Sequence, residues 1–112
     1  MEALVKKFSK KILGNKYSVS FAFIRDAEMK KLNKKYRKKD KTTDILSFNL
    51  DRDTGEILIS KKEAARKAHD FGLSSSNYLH FILIHGLLHL KGLSHGSTME
   101  DMERILRAKW NV

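Results

Sequence analysis

DILSFNLDRDTGEILIS, residues 44–60, decides the fold. Its ends, DILSFNL (44–50) and EILIS (56–60), are short strand-like runs, and the DRDTG between them is rich in turn-forming residues. An antiparallel hairpin is the expectation. Working outward, YSVSFAFI (17–24) alternates Tyr17, Val19, Phe21 and Phe23 against smaller residues and predicts a further strand. Helical spacing fills the remainder. Leu4, Phe8 and Ile12, with Val5 beside them, share one face of a first helix that Gly14 ends. Asp26 is placed to cap a second helix whose stripe is Met29, Leu32 and Tyr36. A third helix, from about Lys61 to Asp70, carries Ala64, Ala65 and Ala68 on one side and is broken by Gly72. SSSN (74–77) offers N-caps for the most apolar helix, ending near Lys91. Ser97 and Glu100 form an S-x-x-E capping box for a last helix with Met99, Met102, Leu106 and Trp110 on one face. The sum is an α+β domain, a small mixed sheet packed with about five helices.

A length of 112 residues predicts one domain, 1–112, large enough for a core without covalent staples. No cysteine is present, so disulfides and thiolate zinc clusters are excluded and any metal must sit on nitrogen and oxygen ligands. MEALVKKFSKKIL at the N-terminus has lysines inside its apolar pattern and is not a signal peptide. The longest apolar stretch, 78–90, contains His80, His85 and His89 and is too short for a bilayer. The expectation is a cytoplasmic protein with no membrane partner. Lysine and arginine number 23 against 13 acidic residues, a formal charge of +10. In KKLNKKYRKKDK (30–41) eight of twelve residues are basic, too concentrated for a generic solubilising surface, and nucleic acid is the favoured partner.

HGLLHLKGLSH (85–95) holds three of the five histidines. His85 and His89 stand one helical turn apart on one face, the spacing at which two imidazoles meet one ion. Gly92 is placed to stop the helix and turn the chain, and His95 follows closely enough to return as a third ligand. Three imidazoles leave one tetrahedral position of zinc open to water, as in a catalytic site, although nickel and copper also bind such a set. His80, five positions before His85, reads as a core residue and His69 as an exposed one. The spacing H-x-x-x-H-x-x-G-x-x-H is metzincin-like, but metzincin peptidases place their glutamate base directly after the first histidine. Here that position is Gly86.

The same stretch resembles the signature of the YbeY family, bacterial endoribonucleases that take part in ribosomal RNA maturation. The family pattern is H-G-x-L-H-L-x-G-Y-D-H, matched here except for Leu93 and Ser94 at the Tyr-Asp pair. LNKKYRKKDKTTDILSF (32–48) is similar to the family's L-N-x-x-Y-R-x-K-D-x-x-T-D-V-L-S-F, and GEILIS (55–60) to its G-D-I-x-I-S. Met99, Glu103, Ile105 and Leu106 resemble its closing motif. Serine at 94 can hydrogen-bond but cannot act as a carboxylate base.

On the residues alone, Arg37 reads equally as a solvated charge or as a phosphate grip. The resemblance implies that Arg37 is catalytic and that His85, His89 and His95 hold one zinc ion. It implies cleavage of single-stranded RNA in ribosomal RNA processing and ribosome quality control, with the ribosome or its proteins as further partners. Lys34, Lys35, Lys38, Lys39 and Lys41 would hold the RNA backbone, and Asp44 and Ser47 are candidates for support, although Asp44 reads equally as a cap of the strand. Zinc lowers the pKa of a water towards about 7, so no carboxylate base is needed. Water and the RNA 2′-hydroxyl stay open as nucleophile. A non-catalytic ribosome-associated RNA-binding factor with structural zinc is the alternative.

Overall fold

The hairpin forms as expected. Strand β2 (Ile45–Asn49) pairs antiparallel with β3 (Thr54–Ile59), and the Leu50 N–H donates to the Thr54 carbonyl at 2.9 Å to close the turn. Asp51 tightens that turn by accepting from the Asp53 N–H at 2.8 Å. Strand β1 (Ser18–Phe23) pairs parallel with the other side of β3, so the sheet order is β1-β3-β2. The computed structural model describes residues 1–93 and 96–110, the side chain of Trp110 excepted. Its five helices are α1 (Glu2–Leu13), α2 (Asp26–Arg37), α3 (Lys61–Asp70), α4 (Ser75–Leu90) and α5 (Ser97–Trp110).

Strand alternation sorts the side chains into two layers. Ile57 and Ile59 point to one face of the sheet and are fully buried against Val5 and Phe8 of α1 and Leu83, Ile84, Leu87 and Leu88 of α4. Leu46 and Leu58 point to the other face and pack beneath Met29 and Leu32 of α2. Each fully buried aliphatic side chain contributes about 1.5–3 kcal/mol, so α4 supplies much of what holds the domain together. Ser74 caps α4 by accepting from the Asn77 N–H, and Ser60 caps α3 by accepting from the Glu63 N–H. Gly92, at φ 107, turns the chain just beyond α4 as its spacing predicted.

Four local expectations are corrected. Arg25 occupies the N-cap position of α2, and the Asp26 carboxylate instead accepts from Thr42 at 2.6 Å and Ser60 at 3.1 Å. Those hydroxyls draw it away from the helix end and hold its pKa below the ordinary carboxylate value. Ala65 is exposed because the buried stripe of α3 runs through Ala64 and Ala68 with Glu63. Tyr36 is 56% exposed, its ring set edge-on against Phe48 at the margin of the α2 contact; the buried position is Asn33. Helix α5 begins at Ser97 itself, and the Glu100 N–H donates to the Gly96 carbonyl at 3.0 Å, so Ser97 stands inside the first turn and not at the N-cap.

Asn33 is the polar pin of the basic segment. Its side-chain amide donates to the Lys41 carbonyl at 2.8 Å, while Lys38 ends α2 in the left-handed region at φ 57. The lysine-rich turn after Arg37 is therefore tied back to the helix that precedes it.

Candidate active site

Strand β2 is an edge strand, and the groove along its open side is a cleft of about 880 Å³. Its walls are the end of α2 with Arg37, the strand itself, and α3 and α4 with Lys67, His85 and His89. The fold thus brings together residues that the sequence separates by some fifty positions. Lys34, Lys35, Lys38, Lys39 and Lys41 are all exposed and none lines the cleft; they surround Arg37 on the outer surface.

The two histidines are held by their backbone and by their rings. Helix α4 lies so close to β2 that a Cβ on Gly86 would come within 2.7 Å of Ile45 Cδ1 and 2.8 Å of Ser47 Oγ. That closeness sets His85 and His89 at the cleft, with ring centroids 4.7 Å apart. A glutamate at position 86, which a peptidase of this spacing requires, would have to displace the Ile45 and Ser47 side chains. Ser47 acts here as the packing surface against that glycine.

Each ring is oriented through Nδ1. His85 Nδ1 hydrogen-bonds to Oε1 of Glu103, a buried carboxylate on α5. His89 Nδ1 lies 3.1 Å from the Leu93 carbonyl. A carbonyl oxygen has no proton to give, so His89 Nδ1 carries the hydrogen, and in the neutral ring the lone pair sits on Nε2. Carboxylate and carbonyl partners on Nδ1 are the supports that orient metal-ligating imidazoles. Donor chemistry therefore fits a metal ion at this pair. Among the described residues no group of three histidine or acidic side chains comes together as a complete metal site. His95, the expected third ligand, and Ser94 lie outside the described residues. His80 faces Phe8 on the far side of α4, and burial pushes its pKa down, in keeping with a core role.

The two cationic walls differ in how their charge is used. Among the described residues no carboxylate pairs with Arg37. Across the cleft Arg66 is bound to Glu63 and Asp70, and Lys67 lies 3.4 Å from Asp44. Asp44 is buried and also accepts from the Tyr78 hydroxyl at 2.6 Å. Burial first, and then the bond to Asp44, holds the Tyr78 phenol well above its ordinary pKa, so it stays a donor. Asp44 thus ties β2 to α3 and α4 by its side chain. Sequence reasoning missed Lys67, Tyr78 and Phe71 on this wall, because nothing in their local pattern says that α3 folds back beside the histidines.

Fold and site together define a strongly basic α+β protein in which an oriented histidine pair shares a cleft with a guanidinium that no carboxylate pairs with among the described residues. Residues 1–111 match the family Endoribonuclease YbeY, and the chain belongs to that family. It is similar to the Endoribonuclease YbeY of Carboxydothermus hydrogenoformans, 40% identical over 96 residues that cover 81% of this chain and 66% of that protein. The Finegoldia magna protein of the same name is 34% identical over 97 residues, 80% of this chain and 61% of the relative. The chain spans about three-fifths to two-thirds of the length of these relatives. A solution structure of a Thermotoga maritima protein superposes with a TM-score of 0.66 at 26% identity, covering 98% of this chain and 81% of that one.

Proposed function

We propose that the chain, as one domain, is a metal-dependent endoribonuclease that cleaves single-stranded RNA in ribosomal RNA processing and ribosome quality control. The observation that carries this reading is the placement of Arg37, His85 and His89 on one cleft. Family membership supports it, since the relatives are named endoribonucleases.

His85 and His89 would hold zinc through Nε2, with His95 as the third ligand expected from the sequence. Bound there, the ion would supply Lewis-acid polarisation of a phosphoryl oxygen and a water of lowered pKa. The chain's own groups do the rest. Glu103 and the Leu93 carbonyl keep the two imidazoles aimed. Arg37 meets the scissile phosphate with a bidentate fork and stabilises charge that builds on its oxygens. The lysines around Arg37 hold the flanking backbone by counterion release, which makes binding fall steeply with salt.

The test is cleavage of a short single-stranded RNA by metal-stripped protein before and after one equivalent of zinc. A His85→Ala preparation purified identically controls for contaminating nuclease. Cutting restored by zinc in the wild type alone is the expected result. Tight zinc binding without any cutting would instead favour an RNA-binding factor with a structural ion.

A further inference from the structure

Phe71 is 65% exposed, yet it stands inside the cleft. It ends α3, where its N–H donates to the Lys67 carbonyl at 3.0 Å; the Leu73 N–H donates to Ala68 at 2.9 Å around Gly72, so its backbone is pinned. Its ring lies nearly parallel to that of Tyr78, 15° between planes and 5.8 Å between centroids. Tyr78 cannot swing away, because it is buried and its hydroxyl is anchored on Asp44. From Tyr78 the rings of Phe81 and His85 follow at 6.0 and 6.4 Å. A row of rings therefore leads from Phe71 to the histidine pair.

A lone exposed phenylalanine would need no explanation. This one has an immobilised aromatic behind it, an open face towards the cleft, and Lys67 one helical turn away in the same wall. In a chain with a formal charge of +10, an exposed ring in the same cleft as Arg37 matches a nucleobase attached to a phosphate backbone. We propose that Phe71 is a base-stacking residue, which takes a nucleobase flanking the scissile phosphate and so selects single-stranded over duplex RNA. The inference rests on the ribonuclease reading and names the group that reads the strand. Bases in a duplex are already stacked and offer no open face to Phe71.

Binding of a labelled oligouridine and of a duplex RNA to metal-free protein tests this, since no cleavage intervenes. Thermal unfolding would first establish that Phe71→Leu and Phe71→Trp are folded. Phe71→Leu is expected to weaken oligouridine binding about tenfold and to leave duplex binding unchanged. Phe71→Trp is expected to retain the affinity, with the emission it adds over wild type quenched by RNA. If Phe71→Leu binds oligouridine as wild type does while Arg37→Ala binds it more weakly, the cleft takes RNA and the stacking role is wrong. Equal losses on both RNAs also overturn stacking, because the ring would not be distinguishing accessible bases. Failure of the wild type to bind oligouridine at all overturns the ribonuclease reading together with this one.

Discussion

Helix α4 buries eight of its sixteen residues and carries His85 and His89, whereas α2 buries two of its twelve and carries Arg37. The two helices border one cleft with opposite construction. An imidazole that is to bind an ion needs a set direction, and α4 provides it by tight packing on β2 and by partners on both Nδ1 atoms. A guanidinium that is to grip a phosphate needs charge and reach. It stands at the last residue of α2, where the chain is held by the left-handed turn at Lys38 and by Asn33. Substitutions on α4 should therefore act through structure and metal affinity, and those at the end of α2 through RNA binding and the reaction, with stability unchanged.

Gly86→Glu puts the greatest strain on that division. It forces a side chain against Ile45 and Ser47 and buries a carboxylate, at a cost of about 3 kcal/mol or more. Thermal unfolding is expected to show a large fall in Tm and no gain of peptidase activity; a stable variant that digests casein would break the comparison. Arg37→Ala comes next, with cleavage lowered about 100-fold and Tm unchanged, because Arg37 is exposed and no carboxylate pairs with it among the described residues. Arg37→Lys should recover only part of the rate, since an ammonium lacks the planar fork. A comparable loss of Tm would mean that α2 is as tightly integrated as α4. Glu103→Ala should weaken zinc binding about 10-fold or more, read by competition with a chromogenic chelator. Unchanged affinity would remove Glu103 from the orientation of His85.

The smallest effect concerns the root of α2. The Asp26 pKa is lowered by its bonds to Thr42 and Ser60, so the folded state binds the proton less readily than the unfolded chain. The stability it contributes is present above the ordinary carboxylate pKa and is lost as pH falls through the lowered folded value. Unfolding curves of wild type and Asp26→Asn should therefore diverge at neutral pH and converge in acid. Parallel curves at every pH would assign those bonds no energetic role.

Much of this arrangement was legible because it is periodic. The hairpin, β1 and the bounds of α3 and α4 follow from alternation, turn residues and helical spacing. The histidine pair follows from a four-residue step. What stayed hidden depends on contacts between distant segments. Asn33 looks like one more polar residue in a lysine run until Lys41 returns to it, and Asp26 looks like a cap until Ser60 arrives. Phe71 and Lys67 gain a role only because α3 packs beside α4 at the edge of β2. In the sequence Gly86 looks like a missing base, whereas its main consequence is the close approach of a helix to a strand.

The strand order also has a kinetic consequence. β3 meets β2 across the short turn 50–53, but its other partner, β1, lies on the far side of α2 and β2 in the chain. Local hairpins close in about 1–10 μs, while the parallel pair must first close a much longer loop. The expected order of assembly is hairpin first and β1 second, and α2, whose Met29 and Leu32 pack on Leu46 and Leu58, has its seat once the hairpin has formed. Pulse-labelled hydrogen exchange during refolding would see Ile45–Asn49 protected ahead of Ser18–Phe23, and simultaneous protection would refute the order. A chain caught between the two steps would already possess its strand edge and the surface on which α2 docks, and would still lack its third strand.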